Sequence, residues 1–155
     1  MNGKLFNVAG PCVPGKHYML PARERCADIV RLIDNEQFFV LHAARQTGKT
    51  TLLNQLEQEL NAGDDYHALY CSLESVQPYT NPNEGVPAVV EAARGMIEYH
   101  PALGELEIDY DAILARKPAS MVRQLFTRIC GKSSKPVVVL FDEADCLSNG
   151  TLISF

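Results

Sequence analysis

The five cysteines (Cys12, Cys26, Cys71, Cys130 and Cys146) are odd in number, widely scattered and without a Cys-x-x-Cys pair. That pattern argues against a disulfide framework and against a zinc site, and it suits buried thiols in a reducing compartment. No stretch approaches the ~20 apolar residues of a membrane span. The first residues, MNGKLFN, lack the apolar centre of a signal peptide. A cytoplasmic protein with no membrane partner is the expectation. Basic residues are few, 14 Lys and Arg against 19 Asp and Glu, for a net charge of -5, and they form no cluster. The sequence therefore gives no direct evidence for nucleic acid as a partner. Internal repeats and low-complexity tracts are absent as well. What remains is a chain of 155 residues, 46% hydrophobic and 21% charged, which is enough for one domain with an ordinary core.

The most informative stretch is residues 38–53, FFVLHAARQTGKTTLL. Residues 38–42 form a short run of aromatic and branched side chains, and they read as a buried strand. Residues 43–50 form a tight loop ending in Gly48, Lys49 and Thr50. Helical periodicity begins at Thr51, with Leu52, Leu53, Leu56 and Leu60 as the apolar face, and Gly63 reads as the C-terminal cap. Strand, loop and helix in this order make the context of a phosphate-binding loop. A triphosphate needs many donors converging on one point. Backbone N–H groups of Ala44, Arg45, Gln46, Thr47, Gly48, Lys49, Thr50 and Thr51 are the candidates, helped by the positive end of the helix dipole. Gly48 lets the backbone come close to the phosphates. Lys49 places a charge on the β- and γ-phosphates, and the Thr50 hydroxyl suits a magnesium ion. Ala43 stands where the commoner pattern has its first glycine. The bland alternative is a strand–turn–helix that happens to contain Gly-Lys-Thr.

A second stretch, residues 136–143, reads PVVVLFDE. A continuous apolar run ending in two carboxylates reads as a parallel strand buried on both faces. Asp142 then emerges at the C-terminal end, where open α/β sheets bind ligands. Asp142 is the candidate magnesium residue, and Glu143 the candidate base that activates water. Two carboxylates capping a surface turn is the alternative. The presence of both stretches in the right order favours the functional reading.

The rest of the chain supplies the frame. Residues 1–20 read as a turn-rich arm, in which His17 and Tyr18 are either base contacts or ordinary half-buried side chains. Residues 21–155 read as the core. Residues 21–35, 86–100 and the stretch from Pro118 read as helices, residues 66–73 as a strand, and residues 76–85 as a loop marked by Pro78, Asn81, Pro82 and Asn83. Glu74, just past the strand, is either a sensor of the γ-phosphate or a loop-start carboxylate without a role.

Together, Gly10-Pro11-Cys12 through His17-Tyr18, FFVLHAARQTGKTTLL and PVVVLFDEAD resemble the AAA-like P-loop ATPases of bacteria and archaea, on the side that shades into STAND signalling ATPases. The resemblance implies a three-layer αβα P-loop domain with a mostly parallel sheet. It also implies binding of ATP or ADP, Mg2+ dependence, and often hydrolysis coupled to conformational change. Lys49 and Thr50 match its Walker A roles, and Asp142 and Glu143 its Walker B roles. Only residues 144–155 follow Glu143, whereas such ATPases continue with a sensor strand, an arginine finger and a helical lid. The expectation is a domain incomplete at its C-terminus. The absent strand would lie between the P-loop strand and the Walker B strand, leaving a gap of roughly 9–10 Å unless the two pair directly. A nucleotide-binding module or fragment without turnover, needing a partner chain or the missing C-terminal elements, is the alternative function, and a homo-oligomer or a partner chain is the candidate assembly.

Overall fold

The computed structural model describes residues 3–8, 10–21, 24, 27–42, 44, 47–147, 151–152 and 155. The chain divides into two compact units, Met1–Ala62 and Gly63–Phe155.

In the first unit, an isolated parallel bridge joins Leu5 to His17. Helix α1 spans Ala27–Asp34, and helix α2 spans Lys49–Asn61. Ile29 and Ile33 on α1 are buried, as are Leu52, Leu53, Leu56 and Leu60 on α2. The buried face of α2 is the one its leucine spacing predicts. Of the helix expected over residues 21–35, Ala22, Arg23, Arg25 and Cys26 lie outside the described residues. The expected strand at residues 38–42 is not formed. These residues carry no strand pairing, and Phe38 and Val40 are exposed. An apolar run becomes a strand only when a neighbour takes its N–H and C=O groups. Among the described residues, no strand pairs with this run.

In the second unit, strand β1 (His67–Ser72) lies parallel to strand β2 (Val137–Asp142). The register sets His67 against Val137 and Ser72 against Asp142. Between them run helix α3 (Pro82–Tyr99), the short helix α4 (Tyr110–Leu114) and helix α5 (Pro118–Lys132). A parallel pair requires a long crossover, and these helices provide it. Helices α3 and α5 bury Val86, Val89, Val90, Ala93 and Ile97 together with Met121, Val122, Leu125 and Ile129. Leu69, Cys71 and Leu73 complete the same core. Burial pushes the Cys71 thiol up to about 11, so it stays protonated.

Helix α3 starts four residues before the expected position. Asn81 caps it, its side-chain oxygen accepting the Asn83 N–H at 3.0 Å, and Pro82 occupies the first turn. The cluster of Asn and Pro that reads as a loop is here a helix start, where a proline loses no hydrogen bond. Helix α4, in a stretch for which the sequence gives no clear pattern, is capped by Asp109, which accepts the Ala112 N–H at 2.9 Å.

Candidate functional site

The candidate residues fall in both units, and each group is built differently. In the first, the turn before α2 is set by Gly48, at φ 82 and ψ 32. A left-handed backbone there costs a glycine little and a side chain much more. It directs the chain into the helix, whose first N–H groups have no partners within the helix. The Leu52 N–H closes the first turn onto the Gly48 carbonyl at 2.9 Å. Lys49 opens α2 and folds back, its Nζ donating to the Ala44 carbonyl at 3.3 Å. The Thr47 hydroxyl donates to the same carbonyl at 2.8 Å. Ala44 and Thr47 are exposed, and Lys49 and Thr50 half-buried. Thr51 is buried, and its Oγ1 accepts the Cys12 N–H at 3.1 Å, tying the arm to the helix. Ala43, Arg45 and Gln46 lie outside the described residues.

Elsewhere on the arm, His17 Nδ1 accepts the Val13 N–H at 2.9 Å. This ring nitrogen stabilises its own turn. Tyr18 packs on Phe6 with ring centroids 4.8 Å apart. Lys4, Phe6, Tyr18, Met19 and Leu20 line an open groove there.

In the second unit, Asp142 ends β2 and is buried, 5% exposed as a residue. A carboxylate this deep needs donors. Its Oδ1 accepts the Glu143 N–H at 3.0 Å, and its Oδ2 accepts the Tyr70 hydroxyl at 3.0 Å. The Asp142 carbonyl accepts the Leu73 N–H, also at 3.0 Å, which extends the ladder past β1. Glu143 is exposed and adopts a left-handed backbone, φ 56 and ψ 34. Outside glycine that conformation is uncommon and strained. It turns the chain sharply after the strand into a short turn at Ala144–Cys146.

The electrostatics are those of an acidic strand end. Burial, and after it the charge of Asp142, holds the Tyr70 phenol well above its ordinary range, so it remains a donor. The Cys146 thiol is raised by burial first and then by Asp145, Glu143, Glu74 and Asp142. Ligand atoms of Glu143, Asp145 and Cys146 lie within 4.8 Å of one another. Glu74 is exposed at the first position of a short turn, Glu74–Val76. The sequence reading missed Tyr70. The available signal was its place in β1, two residues before the register partner of Asp142 and therefore on the same face.

No helix among the described residues is long and apolar enough to cross a membrane. No curated protein and no solved structure gives a match. A family model described as an AAA domain matches residues 31–154, which includes Gly48, Lys49, Thr50, Asp142 and Glu143. With four-fifths of its length matched, the chain belongs to the AAA domain family: it is a nucleotide-binding P-loop domain of αβα type.

Proposed function

We propose that this chain binds ATP with Mg2+ and hydrolyses it, with Gly48–Thr51 as the end of a Walker A loop and Asp142–Glu143 as the Walker B pair. The observation that carries the reading is the start of α2. A left-handed Gly48 there leads into a helix whose first two residues are Lys49 and Thr50. Backbone donors, a dipole and a cation converge at such a terminus, and anions bind there. Lys49 Nζ, which donates to the Ala44 carbonyl at 3.3 Å, would donate to phosphate oxygens in the nucleotide complex.

The donor set suits the metal. Magnesium takes hard oxygen ligands, and the Thr50 hydroxyl and the buried Asp142 carboxylate are of that kind. Bound Mg2+ would neutralise charge developing on the phosphates. Asp142 would hold it, in direct contact or through water. Glu143, exposed and turned away from the strand by its left-handed backbone, would orient the attacking water and accept its proton. Lys49 would stabilise the transferring phosphoryl group.

The test is Glu143→Gln, which removes the base and keeps the shape. The variant should retain ATP binding and lose multiple-turnover phosphate release. Wild-type protein that binds ATP without releasing phosphate above background would leave a binding module. Loss of binding in the variant would contradict the role given to Glu143.

A further inference from the structure

Asp142 is not held by its own strand alone. Its Oδ2 receives the phenol of Tyr70 from the neighbouring strand at 3.0 Å. The parallel register explains the reach. Ser72 is the partner of Asp142, so Tyr70 stands two residues earlier on the same face, and a long aromatic side chain spans that diagonal. The phenol holds one oxygen of the carboxylate, while Glu143 N–H holds the other at 3.0 Å. Two donors on two oxygens fix both the position and the rotation of the Asp142 side chain.

We propose that Tyr70 is a positioning residue for the divalent cation of the nucleotide complex, acting by fixing Asp142 through its phenolic hydrogen bond. This rests on the reading of Asp142 as a magnesium residue. A carboxylate that meets a metal, directly or through water, gains affinity when its orientation is set in advance, and loss of such an outer partner typically costs about 10–100-fold in metal affinity. A phenylalanine at this position would fill the same space and leave Oδ2 with a lost donor.

The experiment follows thermal unfolding of the full chain at fixed ATP while Mg2+ is titrated, and reads the midpoint of the Mg2+-dependent rise. Tyr70→Phe should reach the same plateau but require about tenfold more Mg2+ or higher. Asp142→Asn should lose the Mg2+-dependent rise, and adding Tyr70→Phe to it should then change nothing. A purely structural tyrosine would lower the baseline melting temperature and leave the Mg2+ midpoint in place. A midpoint within twofold of wild type would overturn the proposal. If Tyr70→Phe does not fold, Tyr70→Met, which also lacks the hydroxyl, should move the midpoint in the same direction. An unmoved midpoint there would overturn the proposal equally. A wild-type rise on ATP that ignores Mg2+ would instead remove the metal role of Asp142, and this inference with it.

Discussion

The start of α2 and the end of β2 both hold polar groups in place, but by different means. At α2 the geometry is partly local: Lys49 and Thr47 both donate to the Ala44 carbonyl, within five residues, while Thr51 accepts the Cys12 N–H, 39 residues away. At β2 it is tertiary. Asp142 is held by Tyr70, 72 residues away, and the strand that carries it stands on a core shared with the crossover helices. The surroundings differ accordingly. The first unit exposes Leu5, Phe6, Val8, Val13, Leu20, Phe38 and Val40, and Gln55 Oε1 is buried there with no hydrogen-bond partner among the described residues. In the second, Leu69, Leu73, Val76, Val86, Val90, Ile97, Leu103, Ile113, Leu125 and Ile129 are at most 1% exposed. A turn set largely by local sequence asks less of the core than a carboxylate whose place depends on strand register.

That contrast is sharpest under mutation. Leu125→Ala removes a fully buried side chain from the second core and should cost about 2–5 kcal/mol, including the cavity left behind. Urea unfolding followed at an amide of β1 reads it. A loss well below 1 kcal/mol would mean that β2 does not rest on this core. Asn81→Ala removes the cap of α3 and should cost about 1 kcal/mol in the same assay.

Acid should act on the second unit as well. His67 and His100 stack edge to face, 5.6 Å between centroids. His100 Nδ1 accepts the N–H groups of Ala102 and Leu103 at 3.2 and 3.1 Å. Both rings are pulled below the ordinary histidine value of 6.5. Burial is the main cause for each, followed by the charge of His67 for His100 and of Lys135 for His67. The unfolded chain thus takes up protons before the folded one. The stability these rings contribute is present above pH 6.5 and falls as pH drops below it. Urea midpoints at pH 7.5 and 5.5 check the sign. His100→Asn should flatten the difference, and a midpoint that rises on acidification would contradict the account.

Smallest of all is Phe38→Ser. This side chain is exposed, and the change should stay within about 0.5 kcal/mol. A larger loss would mean that residues 38–42 pack as the strand their sequence suggests.

How legible each part was follows the same division. Periodicity gave the buried face of α2 and the cores of α3 and α5, since leucine and valine spacing reports directly on a helix face. Strands β1 and β2 were readable instead as short apolar runs. The run at residues 38–42 has equal strand character and is not a strand, because strand formation is decided by a neighbour that the run itself does not encode. The roles proposed for Lys49, Thr50, Asp142 and Glu143 come from motif order. The bond from Tyr70 was not, because it depends on which strand lies beside β2 and in which register. The start of α3 was missed where Asn81 and Pro82, read as loop residues, cap a helix.

The most direct test of the account is thermal unfolding of the full chain with and without magnesium–ATP, beside Lys49→Ala. A ligand at ~100 times its dissociation constant adds about 2.7 kcal/mol to the state that binds it. The account predicts a clear rise in melting temperature that the variant loses while its own baseline stays in place. Equal melting temperatures with and without saturating magnesium–ATP would contradict it.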